Sequence, residues 1–212
     1  ELLFYVGCAG SFDDRGKKIS QAIARVLKKA GIDFAILGEE ERCNGDLARR
    51  AGNEYLAQMM IQENAAVLNQ YRPKRILAGC PHCYNTLKHE YPQFGARFEV
   101  VHTTEFVLQL FRQGRLSIAS QASSPAVFHD SCYLGRWNGI FRAPRELLGI
   151  ITGEAPRELR RSAEKGLCCG AGGGRMFMEE KIGKRINAER VEDILASGTA
   201  LTAAACPFCI TM

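Results

Sequence analysis

The sequence predicts an α/β protein laid out twice: two Rossmann-like half-domains related by a pseudo-two-fold duplication, each a parallel sheet flanked by helices. Three observations lead there. Cys8, Cys43, Cys80 and Cys83 recur as Cys132, Cys168, Cys206 and Cys209 at a nearly constant offset, the mark of an internal repeat. Short apolar runs alternate with helical periodicity in both halves, the pattern of parallel strands covered by helices. The composition, 46% hydrophobic and 24% charged over 212 residues, suits a globular chain long enough to bury its own core.

The elements follow in order. "LLFYVG" reads as a strand delivering Cys8, and "ISQAIARVLKKAG" as a helix stopped by Gly31. "DFAILG" is a second strand leading to Cys43. A long amphipathic helix over residues 48–71 ends before Pro73, and "RILAG" is a strand delivering Cys80. "YNTLKHEY" is helical and "FEVVHTTEF" a further strand. The polar, Ser-rich stretch "RQGRLSIASQASSP" separates the halves. The boundaries expected are 1–114 for the first half, 115–125 for a linker and 126–212 for the second. There "PAVFHD" and "LTAAA" are strands, while "APRELLGIIT" and residues 179–198 are helices.

Flanking residues repeat with the cysteines. "CNGDLARRAGNE" answers "CCGAGGGRMFMEE", "LAGCPHCYNTL" answers "AAACPFCITM", and Arg50 and Arg175 fall at equal distances after their cysteines. Because parallel sheets build sites at the carboxyl ends of their strands, Cys8, Cys80, Cys132 and Cys206 are placed for convergence within each half.

Nine cysteines is an odd number for a disulfide scaffold, and such scaffolds are small and secreted. Cys168 and Cys169 are adjacent, and neighbouring Cα atoms about 3.8 Å apart fall short of the roughly 4.4–6.8 Å of a relaxed disulfide. Reduced thiols that bind metal or do redox work fit better. Thiol–disulfide exchange at "CPHC" and "CPFC" is one candidate, but it leaves the other five cysteines without a role. Structural zinc takes four thiolates, which matches the first half and not the five cysteines of the second. Iron–sulfur chemistry accommodates both halves. There Gly170, Gly172, Gly173 and Gly174 would offer a nest of amides followed by a helix N-terminus, and the adjacent thiols would reach neighbouring irons or share one.

The net charge of +5 comes with no basic stripe interleaved with aromatics, so no nucleic-acid partner is expected. "PRELRRSAEK" reads as a solvated face or a docking patch for an acidic partner. No apolar run approaches the roughly 18 residues of a membrane helix, and no signal peptide is present. Both ends look cut through continuous structure, so a piece of a longer polypeptide is expected. His82 and His129 are candidates for hydrogen-bonding a cluster sulfur or relaying protons, with a structural histidine as the competing reading. Arg50 and Arg175 would offset cluster charge or form surface ion pairs. Tyr133 and Trp137 would wall the second site from water, or pack as ordinary aromatics.

Cys132, then Cys168-Cys169-Gly170, then Cys206-Pro207-Phe208-Cys209 resemble the duplicated cysteine-rich CCG domain. That domain occurs in heterodisulfide reductases, in their B-type and D-type polypeptides, and in the iron–sulfur subunits of glycolate, lactate and glycerol-3-phosphate oxidoreductases. The resemblance spans the chain. "CNGDLARRAGNEYL", "CPHCYNTLKHEYP", "HDSCYLGR" and "GLCCGAGGGRMFMEE" look most like the membrane-associated members paired with electron-transfer flavoprotein. It implies a non-cubane [4Fe-4S] cluster on the five cysteines of the second half. It further implies a flavoprotein donor, quinone as the indirect acceptor, and other iron–sulfur or membrane domains or subunits of the same complex. The location implied is cytoplasmic, with membrane association through segments outside this chain. Asn44 stands where a fifth cysteine of the first half would be, so that half is expected to hold a [4Fe-4S] cluster or zinc on Cys8, Cys43, Cys80 and Cys83. The alternative functions are a heterodisulfide or other disulfide reductase catalytic subunit, and a structural zinc module.

Overall fold

The computed structural model describes residues 1–122 and 124–212. It divides into two compact units, Glu1–Phe106 and Val107–Met212. Ser123, within the expected linker, lies outside the described residues.

In the first unit the strands are β1 (Leu2–Tyr5), β2 (Phe34–Ala35), β3 (Arg75–Ala78) and β4 (Glu99–His102). They form one sheet in the order β2-β1-β3-β4, and every pairing is parallel, with Tyr5 level with Ala78 and Ala78 level with His102. β1 is buried along its whole length, as expected of a central strand covered on both faces. The helices are α1 (Gly7–Phe12), α2 (Asp14–Lys29), α3 (Asp46–Arg50), α4 (Glu54–Tyr71) and α5 (Pro81–Asn85), and α6 (Thr103–Arg112) spans the division between the units at Phe106. Leu27 of α2, Ile61 and Leu68 of α4, and Ile76 and Leu77 of β3 are fully buried. Each such side chain contributes on the order of 1.5–3 kcal/mol relative to exposure.

Three local expectations change here. The helix expected over 48–71 is two helices, because Gly52 adopts φ +90° and Asn53 restarts the helix by accepting from the Leu56 amide at 3.0 Å, an N-cap. The strand expected to run through "HTTEF" stops at His102, and Thr103 begins α6. Beyond α5 the chain continues as a π-helical turn over Thr86–Glu90, which carries Glu90 into a buried position.

The second unit has β5 (Ala126–His129), α7 (Arg142–Thr152), α8 (Ile186–Leu195), β6 (Leu201–Ala204) and α9 (Pro207–Thr211). β5 and β6 pair in parallel with His129 level with Ala204. Ala126, Phe128 and Leu148 form its core, with Ala203 and Ala205 packed against it. The repeat of the plan is partial. Among the described residues the sheet has two strands, plus an isolated parallel bridge from Val127 to Arg157. Pro156 and the charged residues after it suit one bridge better than a central strand. The helix expected over 179–198 is confined to Ile186–Leu195. The glycine run leads into a three-residue 3₁₀ turn, Arg175–Phe177, so the expected helix N-terminus is absent there.

"PRELRRSAEK" is also more internal than expected. Leu159 is buried, Arg157 N donates to Ala126 O at 2.8 Å, and Arg161 is held by Glu189 and Asp193. Arg160 remains largely exposed.

Candidate metal centres

Both Cys-Pro-x-Cys segments are helix starts. Cys80 is the N-cap of α5 and Cys206 of α9, with Pro81 and Pro207 at the first helical position, where a missing N–H costs nothing and φ is already helical. The i, i+3 spacing puts both sulfurs of each segment on one side of the first turn. In each case the strand before it ends two residues earlier, at Ala78 or Ala204.

In the first unit the four thiols assemble as two hydrogen-bonded pairs. Cys8 is paired with Cys43: the Cys8 thiol is pushed up by that bond and by burial, while that of Cys43 is lowered to about 6 by the bond from Cys8, helped by the Gly45 amide and opposed by burial. Cys80 is paired with Cys83, and Cys83 is raised by that bond, then by burial, and then by the charges of Cys80 and Cys8. Cys8 is exposed, Cys43 half-buried, and Cys80 and Cys83 buried.

The loops are held from behind. Glu41 accepts from the Val6 and Gly7 amides at 2.9 and 2.6 Å, and burial raises its carboxyl to about 7 against those two bonds. Asn64 of α4 brackets Cys43, accepting from Arg42 N at 3.2 Å and donating to Cys43 O at 2.8 Å. Asn44 is buried, and its side-chain oxygen accepts from Asp46 N at 2.9 Å. That is a local turn contact, in which the amide serves the backbone entering α3.

Gly7 is a true requirement. Its φ is +76°, and an added Cβ would meet Cys83 Sγ at 3.1 Å. Gly7→Ala should cost about 1–3 kcal/mol of strain and displace Cys83. The check is a drop in urea midpoint together with weakened metal retention in the first unit. An unchanged midpoint would count against the close approach.

In the second unit all five thiols are linked in series. Cys132 contacts Cys168, Cys168 contacts Cys169, Cys169 contacts Cys209, and Cys209 contacts Cys206. Donation from Cys132 and Cys169, and from the Gly170 amide at 3.3 Å, drives the Cys168 thiol far down. Cys209 is lowered mainly by Cys169 and Cys206, with His129 adding to it. Cys132 and Cys169 are raised as the donors. Gly170 has φ +87°, the left-handed region that favours glycine, and an added Cβ there would meet Ile186 Cβ at 3.2 Å. The carbonyls of Gly172 and Gly174 accept from Arg175 and Phe177, and Gly173 lies between them with φ +64°.

The other predicted residues divide. A ring nitrogen of His129 lies within 4.8 Å of the Cys169 and Cys209 sulfurs. His82 Nδ1 instead meets Asp46 Oδ2 at 2.8 Å, and both are buried. Arg50 is engaged by Asp46 at 3.2 Å and by Glu90, and Arg175 by Glu180 at 3.2 Å. Tyr133 and Trp137 stack at 5.9 Å, but Trp137 is 67% exposed, a poor water barrier. Sequence reasoning missed Glu41, Asn64, Asp130, Arg145 and Arg190. Asp130, beside His129, accepts from both terminal nitrogens of Arg145 at 2.8 Å and from Ala163 N at 2.6 Å. Its place in "HDSC" was the available clue.

The donor sets suit a soft, thiophilic metal. Four sulfurs gather in one unit and five in the other, with amide and hydroxyl groups as outer partners: Gly170 N on Cys168, and Ser131 Oγ 3.7 Å from Cys209 Sγ. All-sulfur sets of this kind fit iron–sulfur clusters, and four sulfurs fit zinc as well.

A family model described as a cysteine-rich domain, CCG, matches twice, over residues 2–88 and 126–212. The chain belongs to the CCG family. Among relatives of this CCG chain, the EtfAB:quinone oxidoreductase of Syntrophomonas wolfei is 46% identical over 219 residues, covering 100% of this chain and 30% of that protein. The probable iron-sulfur-binding oxidoreductase FadF of Bacillus subtilis is 45% identical over 212 residues, again 100% and 30%. A polypeptide of the dihydromethanophenazine:CoB–CoM heterodisulfide reductase of Methanosarcina barkeri is 33% identical over 215 residues, 99% of this chain and 52% of that one. The CCG chain thus spans from about a third to about a half of the length of these curated relatives. It is an α/β CCG module, present twice, of the kind found in iron–sulfur oxidoreductases. Among the described residues no helix is long and apolar enough to cross a membrane.

Proposed function

We propose that the chain is an iron–sulfur electron-transfer domain of a larger oxidoreductase, acting between a flavoprotein donor and a quinone acceptor reached through other domains or subunits. The observation that carries this reading is the unbroken series of five sulfurs in the second unit, one more than a tetrahedral ion uses. Cys132, Cys168, Cys169, Cys206 and Cys209 would hold a non-cubane [4Fe-4S] cluster. Cys8, Cys43, Cys80 and Cys83 would hold a [4Fe-4S] cluster. Such groups, when bound, supply one-electron redox chemistry. The name of the Syntrophomonas wolfei relative pairs EtfAB with quinone, and the choice of a flavoprotein and a quinone as the two redox partners is drawn from that pairing. Attachment to a membrane would come through segments outside this chain.

The chain's own residues do three things in this scheme. They bias three of the thiols, Cys43, Cys168 and Cys209, toward thiolate, the form that ligation requires. They hold the sulfur-bearing loops through Glu41, Asn64 and Asp130. They bury Cys80, Cys83, Cys169 and Cys206, limiting water access.

A second reading applies to the first unit alone. Its set of four sulfurs, with the Asn44 amide turned to the backbone, also suits a structural zinc ion. Anaerobically purified protein should be brown, with about four irons per occupied cluster and matching acid-labile sulfide. X-ray absorption at the iron and zinc edges assigns the first unit. A colourless protein with stoichiometric zinc and no labile sulfide would overturn the redox function.

A further inference from the structure

Two buried groups in the second unit have hydrogen-bonding capacity that the fold itself leaves unused. Arg190 of α8 is 2% exposed and His129, at the end of β5, 4%. Arg190 Nε donates to His129 Nδ1 at 2.8 Å. Arginine has donors only and keeps its proton, so Nδ1 is the acceptor. The proton of the neutral ring therefore resides on Nε2. Among the described residues Nε2 is buried with no hydrogen-bond partner, and so is Arg190 Nη2. The sulfurs of Cys169 and Cys209 lie within 4.8 Å of one ring nitrogen and of each other, and with Nδ1 taken by Arg190 the nitrogen left to donate to them is Nε2. His129, Arg190, Cys169 and Cys209 all line one cavity of about 460 Å³.

Arg190 is itself anchored. Its Nη1 donates to Arg161 O at 2.8 Å and to Asp193 Oδ2 at 3.1 Å. A purely structural role accounts for Nε and Nη1 and leaves two buried donors without purpose. Ligation of a metal by His129 is disfavoured on the same geometry. It would move the ring proton to Nδ1, where it would face an arginine N–H, donor against donor.

We propose that Arg190 is a positioning residue that fixes His129 as an Nε2–H donor toward the Cys169–Cys209 sulfurs, making His129 an outer partner of the second metal centre and not one of its ligands. This rests on the iron–sulfur reading of the five-cysteine set. A hydrogen bond to a sulfur ligand favours the more negative, reduced state and so raises the reduction potential.

The test uses the full-length, cluster-loaded protein. Electron–nuclear double resonance on the paramagnetic signal of the second centre, recorded in H₂O and D₂O, should show an exchangeable proton coupling and no directly bonded nitrogen. The coupling should vanish in His129→Phe with a lowered potential, and persist in His129→Gln, which keeps a donor. Arg190→Met should weaken it and lower the potential, and Arg190→Lys should restore part of both. A bonded-nitrogen coupling in the native protein, or an iron signal there with no exchangeable proton, would overturn the inference even if every variant lost its cluster. Zinc in place of iron at the five cysteines would instead remove the electron-transfer reading, and this inference with it.

Discussion

Replacing Cys169 by serine should abolish or convert the second metal centre while leaving the first unit's centre unchanged. Cys169 is buried and sits between Cys168 and Cys209 in the sulfur series, so its loss divides the series into two fragments. A serine hydroxyl is harder, shorter and far less acidic than a thiol, and does not replace a thiolate on a soft site. If the second cluster is ejected, iron should fall by about four per chain. If it is retained, its paramagnetic signal should change type. Cys43→Ser is the matched control, with the complementary result: a perturbed first centre and an intact second. Iron content and low-temperature spectra of the two variants, side by side, decide the matter. A native spectrum in Cys169→Ser would remove Cys169 from the ligand set.

The largest effect on stability is expected from Arg145→Met. Asp130 is buried and receives a two-pronged bond from Arg145, with both distances 2.8 Å, plus the Ala163 amide. Removing the guanidinium leaves a buried carboxylate hydrogen-bonded to the Ala163 amide, with the charge of Arg190 acting on it from a greater distance. Breaking a buried pair in this way costs about 3–5 kcal/mol, or roughly 10 °C in melting temperature for a chain of this length. Arg145→Lys keeps the charge and loses the fork geometry, so an intermediate loss is expected. Arg142 also meets a carboxylate, that of Glu146, but its side chain is 86% exposed; Arg142→Met should cost about 0–1 kcal/mol. Thermal unfolding of the three variants under one set of conditions tests the ranking. Equal losses in Arg145→Met and Arg142→Met would show that burial of Asp130 contributes little.

The legible parts of this protein are those governed by short-range rules. Apolar runs that need covering on both faces announced β1, β3 and β5. The Cys-Pro-x-Cys segments announced two helix starts, because proline at the first helical position carries its geometry with it. The recurrence of four cysteines announced the duplication, which the double family match bears out. Where such rules ran out, boundaries moved. Gly52 and Asn53 divided a continuous-looking helix. Pro156 and its charged neighbours left the second sheet a bridge where the first has a strand.

The surroundings of the sulfurs were decided by tertiary contacts. Nothing in residue order says that His82 turns to Asp46 while His129 turns to the sulfurs. Arg190, sixty-one positions away in the chain, partners His129 Nδ1, as Asp46 partners His82 Nδ1. Nor does residue order mark Glu41 and Asn64 as the groups that hold the start of α1, which carries Cys8, and the Cys43 loop. Each is an ordinary polar residue in sequence. Each becomes specific only when folding removes water and obliges it to find a partner within the protein.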